Sequence, residues 1–551
     1  MAKRLSPAAL PGLGAWLRPF PLFGLGAVAL WAFWATYYYG RIGFMSLDMP
    51  ITWDTAWRMM HGQVPCRDFN TPGDVVPALL QIPFFWLFGA TWKGYLAHAG
   101  LCNAAFSLGV ALFLSRLGAP VWVALFAGAM EGWHFNTPIG IPYYDQYSYF
   151  FAFFALAATA LGVLEEKAAA RAFWLACVPP LCAATVLSKV SPGLYALALL
   201  PGVFLLGARR GEWRAACGVL AASALVTGAV LTLVCVVEGI TFSRMWESLF
   251  GLPSGMGHER WASLTRDEMA ERAVWYFRRM RLLWIAVPLG AAGLFMACAD
   301  GWNARARRVA VLFWIAVAAP VVDWAAIILA NQESLNYLAY GVLAAGAGLA
   351  AAATMALPKP APTPVRIGFV AAAAMAMVLG VSVDWAVRWK MTHREVNNLL
   401  LAKDDTWADR PRAGRALAPM IWINSYGHYS AGEFWQVVDF LREKDEPFLV
   451  AGPNALPYAF CGRVNPFPAA WLHVGLTVPR PSDPHRAAFD AWAVERIKAA
   501  GIRWIAVDPT LVDWLEAFPW LKDWAAKATC PETDIGTWRL IPVDPNDLQA
   551  P

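Results

Sequence analysis

The chain has 551 residues, of which 58% are hydrophobic and 15% are charged, and its mean hydropathy is +0.44. A water-soluble fold cannot bury so much apolar surface, so the composition excludes a soluble globular protein and indicates a polytopic membrane protein. The formal net charge of +5 is explained by basic connections between membrane spans, and it gives no reason to expect a nucleic-acid partner.

About eleven apolar windows are long enough to cross 30 Å of hydrocarbon, which takes roughly 20 residues each. They lie at about 20–40, 92–115, 119–136, 147–163, 172–188, 191–207, 214–237, 281–299, 307–330, 334–356 and 366–387. We therefore predict a membrane domain over residues 1–387 that contains an outward loop at 41–91. The remaining residues, 388–551, contain no further span.

The basic residues of the short connections predict the orientation of these spans. Lys3 and Arg4 fall on the same predicted side as Arg116, Lys167, Arg171, Arg209, Arg210, Arg214, Arg305, Arg307, Arg308, Lys359 and Arg366. Short loops rich in lysine and arginine stay in the cytoplasm. We expect the amino terminus to be cytoplasmic and residues 388–551 to be periplasmic. The first span has no small-residue cleavage site, which favours a retained helix over a cleaved signal peptide.

The outward loop at 41–91 carries four aspartates, Asp48, Asp54, Asp68 and Asp74. Carboxylates at the exit of a membrane helix are usually kept for chemistry or binding. Asp48 also precedes a proline suited to a first helical turn, so an N-cap role is an equal alternative. Asp68 and Asp74 lie beside turn-forming residues, which gives them a second interpretation as turn formers.

A helix is predicted within this loop, over Pro50–His61. Trp53, Ala56, Trp57 and Met60 recur at helical spacing, while the residues between them are mostly polar or charged. An amphipathic pattern of this kind is typical of a helix that lies in the membrane interface.

Further polar residues gather at the predicted outward ends of the spans. Tyr144 and Asp145 stand in the segment PYYDQYS, and Lys189 stands in the helix break SKVSP. Asp145 has an alternative role in capping the next span. Lys189 has an alternative role as a lysine that extends its ammonium to the membrane surface without other function.

The later outward connections hold His258, Glu259 and Arg260 in GLPSGMGHER and Glu333 in the NQES turn. The first of these segments is interpreted either as a flexible lid or as a loop with solvated charges. Asp323 is predicted within a hydrophobic span, where a charged group requires a partner or a water-filled cavity. Glu131 and His134 are predicted at similar depth and are spaced to pair with each other.

Residues 388–551 predict a small α/β domain outside the membrane. Strands are expected at Phe448–Ala451, Ile502–Val507 and Thr537–Pro542, and helices at Glu433–Lys444 and Arg486–Ala500. The region is interpreted either as a binding unit for acceptor or carbohydrate or as a cap over the membrane domain. Cys461 and Cys530 lie on the predicted oxidising side, where a disulfide between them is an open prediction.

Three segments together resemble a known family. Asp48 lies fourteen residues before GQVPCRDF, which is followed by TPGD and the apolar run PALLQIPFFWLFGA. The segments VLSKVSPGLYALALLPG and FLVAGPNALPYAFCGRVNPFP follow later. This order resembles the polytopic glycosyltransferases of the GT-C fold class, related to the dolichyl-phosphate-mannose protein mannosyltransferase and aminoarabinose transferase superfamily.

The resemblance implies transfer of a sugar, with inversion, from a polyprenyl-phosphate donor in the bilayer to a periplasmic or lipid-linked acceptor of the cell envelope. Asp48 matches the catalytic base of the family. Cations are needed at the leaving phosphate, and the candidates are Lys189, Arg260 and Arg58. The expected substrate-binding residues are Asp54, Asp68, Asp145, Tyr144, His258 and Glu333.

No cofactor is predicted. Met49 stands where many family members carry a second acid, which argues against a paired-acid metal site, and a divalent metal, Mg²⁺ or Mn²⁺, is left open. Two other functions remain alternatives. A transporter or flippase for a lipid or small solute would place polar residues near the membrane midplane. A noncatalytic subunit for polysaccharide assembly would keep the fold without an active site. The expected location is the bacterial inner membrane.

Overall fold

The computed structural model describes residues 22–136, 139–208, 212–299, 301–330, 338–356, 413–424, 429–470, 472–510, 514–528 and 531–549. Most of these residues are helical. The helices before residue 357 are Leu22–Gly40, Pro50–Met60, Val75–Phe88, Trp92–Arg116, Val121–His134, Tyr144–Leu164, Ala168–Ser188, Val190–Leu197, Leu200–Gly207, Trp213–Glu238, Phe242–Trp246, Leu252–Ala262, Arg266–Arg279, Leu283–Ala299, Ala304–Ala330 and Gly341–Ala356, with a π-helical turn at Glu247–Gly251.

Within the described residues, six helices are long and apolar enough to cross a membrane, or seven if a pair bent by 81° forms one span. This confirms a multi-pass helical architecture. Two of the predicted windows hold shorter helices, Val121–His134 and Gly341–Ala356. The window at 366–387 lies outside the described residues, so the number eleven stays a prediction. Val75–Phe88 is an additional apolar helix that the windows did not include.

The membrane helices pack around one large apolar core built mainly from alanine, leucine, valine and phenylalanine. The helix Leu22–Gly40 ends against the segment that precedes Tyr143. Gly40 and Gly140 are in direct backbone contact, because a Cβ atom added to Gly40 would lie 2.0 Å from the Gly140 carbonyl oxygen. Only glycine allows this approach. The contact fixes the position of the Pro142–Tyr144 segment relative to the outward loop.

The predicted helix over Pro50–His61 is confirmed, with observed bounds Pro50–Met60. Its expected placement in the membrane interface is wrong. Trp53 and Ala56 are fully buried inside the protein, and Asp54 and Arg58 on the other face are buried as well. The helix therefore has protein on both faces.

Six short strands lie in the described part of the chain. They are β1 (Ile42–Phe44), β2 (Ile421–Asn424), β3 (Phe448–Ala451), β4 (Trp504–Val507), β5 (Thr533–Ile535) and β6 (Trp538–Pro542). β1 pairs in parallel with β2, which ties the outward loop to the carboxyl-terminal segment. The other four form a mixed sheet in the order β3-β4-β6-β5, with β3 and β4 parallel and the remaining neighbours antiparallel.

Helices Ala431–Lys444, Leu456–Phe460, Arg486–Ala499 and Pro519–Ala525 accompany this sheet. The predicted strands and helices of this segment are thus observed, and most of their bounds lie within two residues of the predicted ones. One of its two apolar cores is shared with the first part of the chain, because Trp53, Trp92 and Tyr95 belong to the same buried cluster as Phe434 and Trp538. The predicted boundary at residues 387 and 388 lies outside the described residues.

Candidate active site

Asp48 lies in the short connection between β1 and the helix Pro50–Met60. Its carboxylate accepts a long hydrogen bond, 3.5 Å, from the hydroxyl of Tyr143. The N-cap alternative is wrong, because Met49 occupies the cap position in helical geometry and the helix begins with Pro50 without a side-chain cap. The Asp48 side chain is consequently not used to start the helix.

Lys189 lies close to Asp48, in the break between the helices Ala168–Ser188 and Val190–Leu197. Its ammonium forms an ion pair of 2.6 Å with Asp145, whose side chain is completely buried. The same ammonium stands 4.3 Å from the centre of the Tyr144 ring, in a cation–π contact. The alternative in which Lys189 only extends to the membrane surface is therefore wrong.

The Gly73–Asp74 turn holds the Lys189 break in place. The Asp74 amide donates a 2.7 Å hydrogen bond to the carbonyl of Ser188. A Cβ atom at Gly73, whose φ is +129°, would lie 2.5 Å from that carbonyl oxygen, so only glycine fits. The buried Asp74 carboxylate accepts a 2.7 Å hydrogen bond from Thr52, and burial raises the pKa of Asp74 to about 8. Asp74 is thus a structural acid that links two loops.

The surroundings of Asp48 raise its pKa to about 6. Burial is the largest cause, because it disfavours the charged carboxylate. The charge of Lys189 opposes this effect, the charge of Asp145 adds to it, and the Tyr143 hydrogen bond and the charge of Arg260 lower the pKa again. A carboxylate with this pKa is ionised at neutral pH and is a stronger base than an ordinary aspartate.

A cavity of about 560 Å³ opens beside Lys189. Its polar wall includes Lys189, His258 and Arg260. The remaining wall is mainly apolar and aromatic, with contributions from Pro72, Tyr195, Trp246, Leu249, Phe250, Trp261, Ala326, Leu329 and Leu476. A cationic end next to an aromatic and aliphatic wall suits a ligand that has an anionic group on an apolar chain.

The segment GLPSGMGHER, which suggested a flexible connection, is helical in the structure. Leu252–Ala262 is a helix that follows the π-helical turn Glu247–Gly251. Glu259 forms an ion pair with Arg480, and the Glu247 carboxylate lies 3.7 Å from His485. The carboxyl-terminal segment therefore contacts the two helical elements that form this wall of the cavity.

Arg58 and Asp54 do not belong to the site. The Arg58 guanidinium pairs with Asp54 at 2.8 Å and donates hydrogen bonds to the carbonyl oxygens of Phe467 and Ala469. Asp54 also accepts a 3.1 Å hydrogen bond from Asn465. The structure does not support the expectation that Arg58 binds phosphate and Asp54 binds substrate, because both side chains dock the helix Pro50–Met60 to the carboxyl-terminal segment and neither lines the cavity.

Asp68 is also engaged elsewhere. Its carboxylate accepts hydrogen bonds from the Val64 amide and from Arg67, and Arg496 lies 3.2 Å away. This arrangement fits the turn-forming interpretation and does not support Asp68 as a substrate-binding residue. Glu333 lies outside the described residues, so its role stays a prediction.

Asp323 has the partners that its position in a span requires. It accepts hydrogen bonds from the Tyr276 hydroxyl at 3.3 Å and from the Tyr340 amide at 3.1 and 3.2 Å. Cys461 lies in the described part of the chain, whereas Cys530 does not. The predicted pairing of these two cysteines is therefore untested.

The structure adds residues to the site that the sequence did not single out. Tyr143 donates to Asp48 and lies 3.3 Å, hydroxyl to hydroxyl, from Tyr144. Trp246 and Trp261 line the cavity. The sequence shows the adjacent tyrosines Tyr143 and Tyr144 beside Asp145, which could have indicated a site. An aromatic pair at a membrane boundary is equally typical of interface anchoring.

A chain of buried side chains connects the Asp48 connection to the carboxyl-terminal sheet. The Ser46 hydroxyl lies 3.0 Å from that of Thr510, and the Thr510 hydroxyl donates at 2.6 Å to Asp508. Asp508 follows β4, at the carboxyl end of the parallel strand pair. Burial raises the pKa of Asp508 to about 6. This chain fixes the backbone two residues before Asp48.

In the described part of the chain, no group of three or more His, Cys, Asp or Glu side chains is arranged to hold a metal ion. The charged groups around Asp48 are instead an ammonium, a guanidinium and one further carboxylate.

No protein-family model and no curated protein match the chain. Its fold is that of the GT-C glycosyltransferases. The solved structures that it resembles are those of ArnT from Cupriavidus metallidurans. The structure bound to undecaprenyl phosphate shares 14% identity with a TM-score of 0.53, over 94% of this chain and 97% of ArnT. The apo structure shares 15% identity with a TM-score of 0.52, over 96% and 98%.

Proposed function

We propose that this chain is an inverting membrane glycosyltransferase that moves a hexose or pentose from a polyprenyl-phosphate donor to a glycan or lipid-linked acceptor of the cell envelope. The observation that carries the proposal is that Asp48 lies near Lys189 and Arg260, two cations that line an aromatic and aliphatic cavity. The ArnT fold supports it, because an ArnT structure of that fold holds undecaprenyl phosphate.

In the proposed reaction Asp48 removes the proton from the acceptor hydroxyl as its oxygen attacks the anomeric carbon of the sugar. The bond from this carbon to the phosphate oxygen breaks, and the electron pair leaves with the polyprenyl phosphate. Attack from the side opposite the leaving group inverts the anomeric centre. The pKa of about 6 keeps Asp48 ionised at neutral pH and still able to accept a proton.

Lys189 and Arg260 are the proposed partners of the leaving phosphate, because both line the cavity. In the structure the Lys189 ammonium is held by Asp145 and by the Tyr144 ring. A bound phosphate would share this ammonium with Asp145. Positioned cations of this kind stabilise charge that develops on the leaving group. His258, which lies in the same wall, is proposed to contact the donor as well.

The proposed location is the bacterial inner membrane, with the amino terminus in the cytoplasm and the sheet β3-β4-β6-β5 in the periplasm. The basic residues of the short connections support this orientation. The test places a single cysteine at exposed Asp534 and treats cells whose outer membrane is permeable with a thiol reagent that cannot cross the inner membrane. We expect this cysteine to react. Labelling only after the inner membrane is disrupted would contradict the orientation.

The central experiment measures sugar transfer from a panel of radiolabelled polyprenyl-phosphate sugars in membranes that contain the wild type, Asp48→Asn or the control Asp534→Asn. Asp534 lies on the edge strand β5, and its side chain is exposed. We expect transfer by the wild type and the control, and a loss of about 100-fold or more in Asp48→Asn, because general-base catalysis contributes roughly 10²–10⁴-fold.

Gel filtration in detergent should show the same folded peak for all three proteins. Full transfer by a folded Asp48→Asn protein would exclude Asp48 as the base. Uptake of a lipid or solute by sealed vesicles, without transfer from any donor, would support the transporter alternative instead.

A further inference from the structure

The helix Arg266–Arg279 and the helix Leu283–Ala299 meet at an angle of 81°. Seven of the fourteen residues in the first helix are charged, a composition that suits the membrane surface better than the hydrocarbon region. The second helix is apolar over its whole length. We call their junction, residues 273–285, the arginine corner. A junction between a charged helix and an apolar helix suits the depth where lipid headgroups meet acyl chains.

A groove of about 610 Å³ runs through the arginine corner. It is lined by Ala273, Val274, Phe277, Arg278, Arg281, Trp284 and Ile285. Phe277 and Trp284 are exposed by 41% and 66%, with ring centroids 5.8 Å apart. The Trp284 indole N–H donates at 3.2 Å to the carbonyl of Phe277, which fixes the ring in the groove wall. The exposed aromatic wall thus has a defined orientation.

The two arginines of the groove have positive charge available for a ligand. The Arg281 Nε atom donates to the Arg278 carbonyl at 3.1 Å, and both residues are exposed. Among the described residues, neither guanidinium has an acidic side chain within ion-pair distance. The nearest acid before Arg278 on the same helix is Glu271, which lies about 10 Å away along the axis at 1.5 Å per residue. A net anionic group therefore fits this position better than a zwitterionic one.

We infer that the arginine corner binds one anionic glycerophospholipid from the surrounding leaflet. Arg278 and Arg281 hold its phosphate, and its acyl chains lie along Phe277, Trp284 and Ile285. Beyond the groove the exposed apolar surface continues along Leu283–Ala299, where Phe295 is 80% exposed. That continuity favours a bilayer lipid over a protein segment as the occupant, because the exposed surface of Leu283–Ala299 is apolar along the length of the helix.

The corner is distinct from the cavity beside Lys189, since its lining residues are different. The Arg272 guanidinium donates at 3.5 Å to the carbonyl of Ile327. Ile327 stands between Ala326 and Leu329, which line that cavity. The corner and the cavity consequently face the same side of the membrane, and the inference does not depend on the proposed glycosyltransferase activity.

The test is native mass spectrometry of the full-length protein in detergent, titrated separately with phosphatidylglycerol, phosphatidylethanolamine and undecaprenyl phosphate. We expect the wild type to retain one phosphatidylglycerol in preference to phosphatidylethanolamine. The double variant Arg278→Ala/Arg281→Ala should bind phosphatidylglycerol about 10- to 30-fold more weakly, since each basic residue at a membrane surface contributes about a factor of five.

The matched control is Arg266→Ala/Lys498→Ala, which also removes two exposed positive charges but lies outside the groove. It should bind phosphatidylglycerol like the wild type. A variant Arg278→Lys/Arg281→Lys should keep part of the preference, which separates loss of charge from loss of fold. Equal retention of phosphatidylglycerol by the double variant and the control would overturn the inference. A larger loss of undecaprenyl phosphate than of phosphatidylglycerol in the double variant would overturn it as well.

Discussion

The Asp48 carboxylate is surrounded by groups that influence its charge in opposite directions. Burial and Asp145 raise its pKa, whereas Lys189, the Tyr143 hydroxyl and Arg260 lower it. The result is a pKa of about 6, to which burial contributes most, and the charges of Lys189 and Asp145, paired at 2.6 Å, change it in opposite directions. A change in either partner should therefore alter the pH dependence of the proposed reaction, apart from any effect on substrate binding.

The rate of transfer by the wild type should fall as the pH decreases through about 6, because Asp48 acts only when it is deprotonated. Asp145→Asn removes a negative charge that raises the pKa of Asp48, and it leaves the Lys189 charge uncompensated. Both effects lower the pKa of Asp48, so the acid limb of the kcat profile should move to lower pH.

The measurement is kcat from pH 4.5 to 8 at saturating donor, with Asp534→Asn as the control that removes an exposed carboxylate. The control should keep the wild-type profile. A profile of Asp145→Asn that moves to higher pH would mean that Asp145 does not raise the pKa of Asp48 in the working enzyme.

Sequence reasoning identified Asp48, Lys189 and Asp145 because each interrupts an apolar pattern at a span end. It could not show that they meet, since Asp48 and Asp145 are almost a hundred residues apart and their proximity depends on the contact between Gly40 and Gly140. The same reasoning included Arg58 among the candidate phosphate-binding residues. A charged residue on an amphipathic helix has the same sequence pattern whether it faces a ligand or a backbone carbonyl.

At the scale of elements, the helix Pro50–Met60 shows how a periodic pattern can predict secondary structure without predicting its surroundings. The spacing of Trp53, Ala56 and Trp57 was sufficient to predict the helix. The burial of its charged face depends on Phe467 and Ala469, more than four hundred residues later, whose carbonyl oxygens receive the Arg58 hydrogen bonds. Such long-range partners leave no local signal.

Arg58→Ala should destabilise the protein strongly, because it leaves the Asp54 carboxylate buried without its cation. Removal of one partner from a buried ion pair typically costs about 3–5 kcal/mol. The measurement is thermal unfolding in detergent, with intrinsic fluorescence as the signal. Transfer per folded molecule should change little below the unfolding temperature, since Arg58 does not line the cavity.

Arg415→Ala is the control for this prediction. Arg415 also pairs with an aspartate, Asp439 at 2.7 Å, but both side chains are about half exposed. Exposed pairs contribute little to stability, so the unfolding temperature should stay near that of the wild type. Unchanged stability of Arg58→Ala together with a raised KM for the donor would return Arg58 to the phosphate-binding residues.

At the scale of the whole molecule, the carboxyl-terminal segment packs against the elements that form the candidate site. It shares a buried apolar cluster with the outward loop, pairs β2 with β1, and holds the helix Leu252–Ala262 through Arg480 and Glu259. Composition and strand patterns predicted its elements. The shared core and the β1–β2 pairing could not be predicted, because strands of three or four residues have too little sequence to specify a partner.

The hydrogen-bond chain from Asp508 through Thr510 to Ser46 is the part of this packing that lies nearest to Asp48. Thr510→Val keeps the shape of the side chain but removes the hydroxyl, which leaves the buried Asp508 with one hydrogen bond fewer. The loss should destabilise the protein by about 1–3 kcal/mol. It should also increase the amide hydrogen exchange of residues 42–50, because the connection that carries Asp48 loses its link to the sheet.

Thr510→Ser retains the hydroxyl and should behave more like the wild type in both measurements. If Asp48 needs this connection to stay in position, kcat should fall in Thr510→Val and recover in Thr510→Ser. The KM for the donor should change little, because Lys189 is held separately by the Gly73–Asp74 turn. A Thr510→Val protein with faster exchange only in residues 504–507, and with normal exchange in residues 42–50, would show that the carboxyl-terminal sheet does not position Asp48.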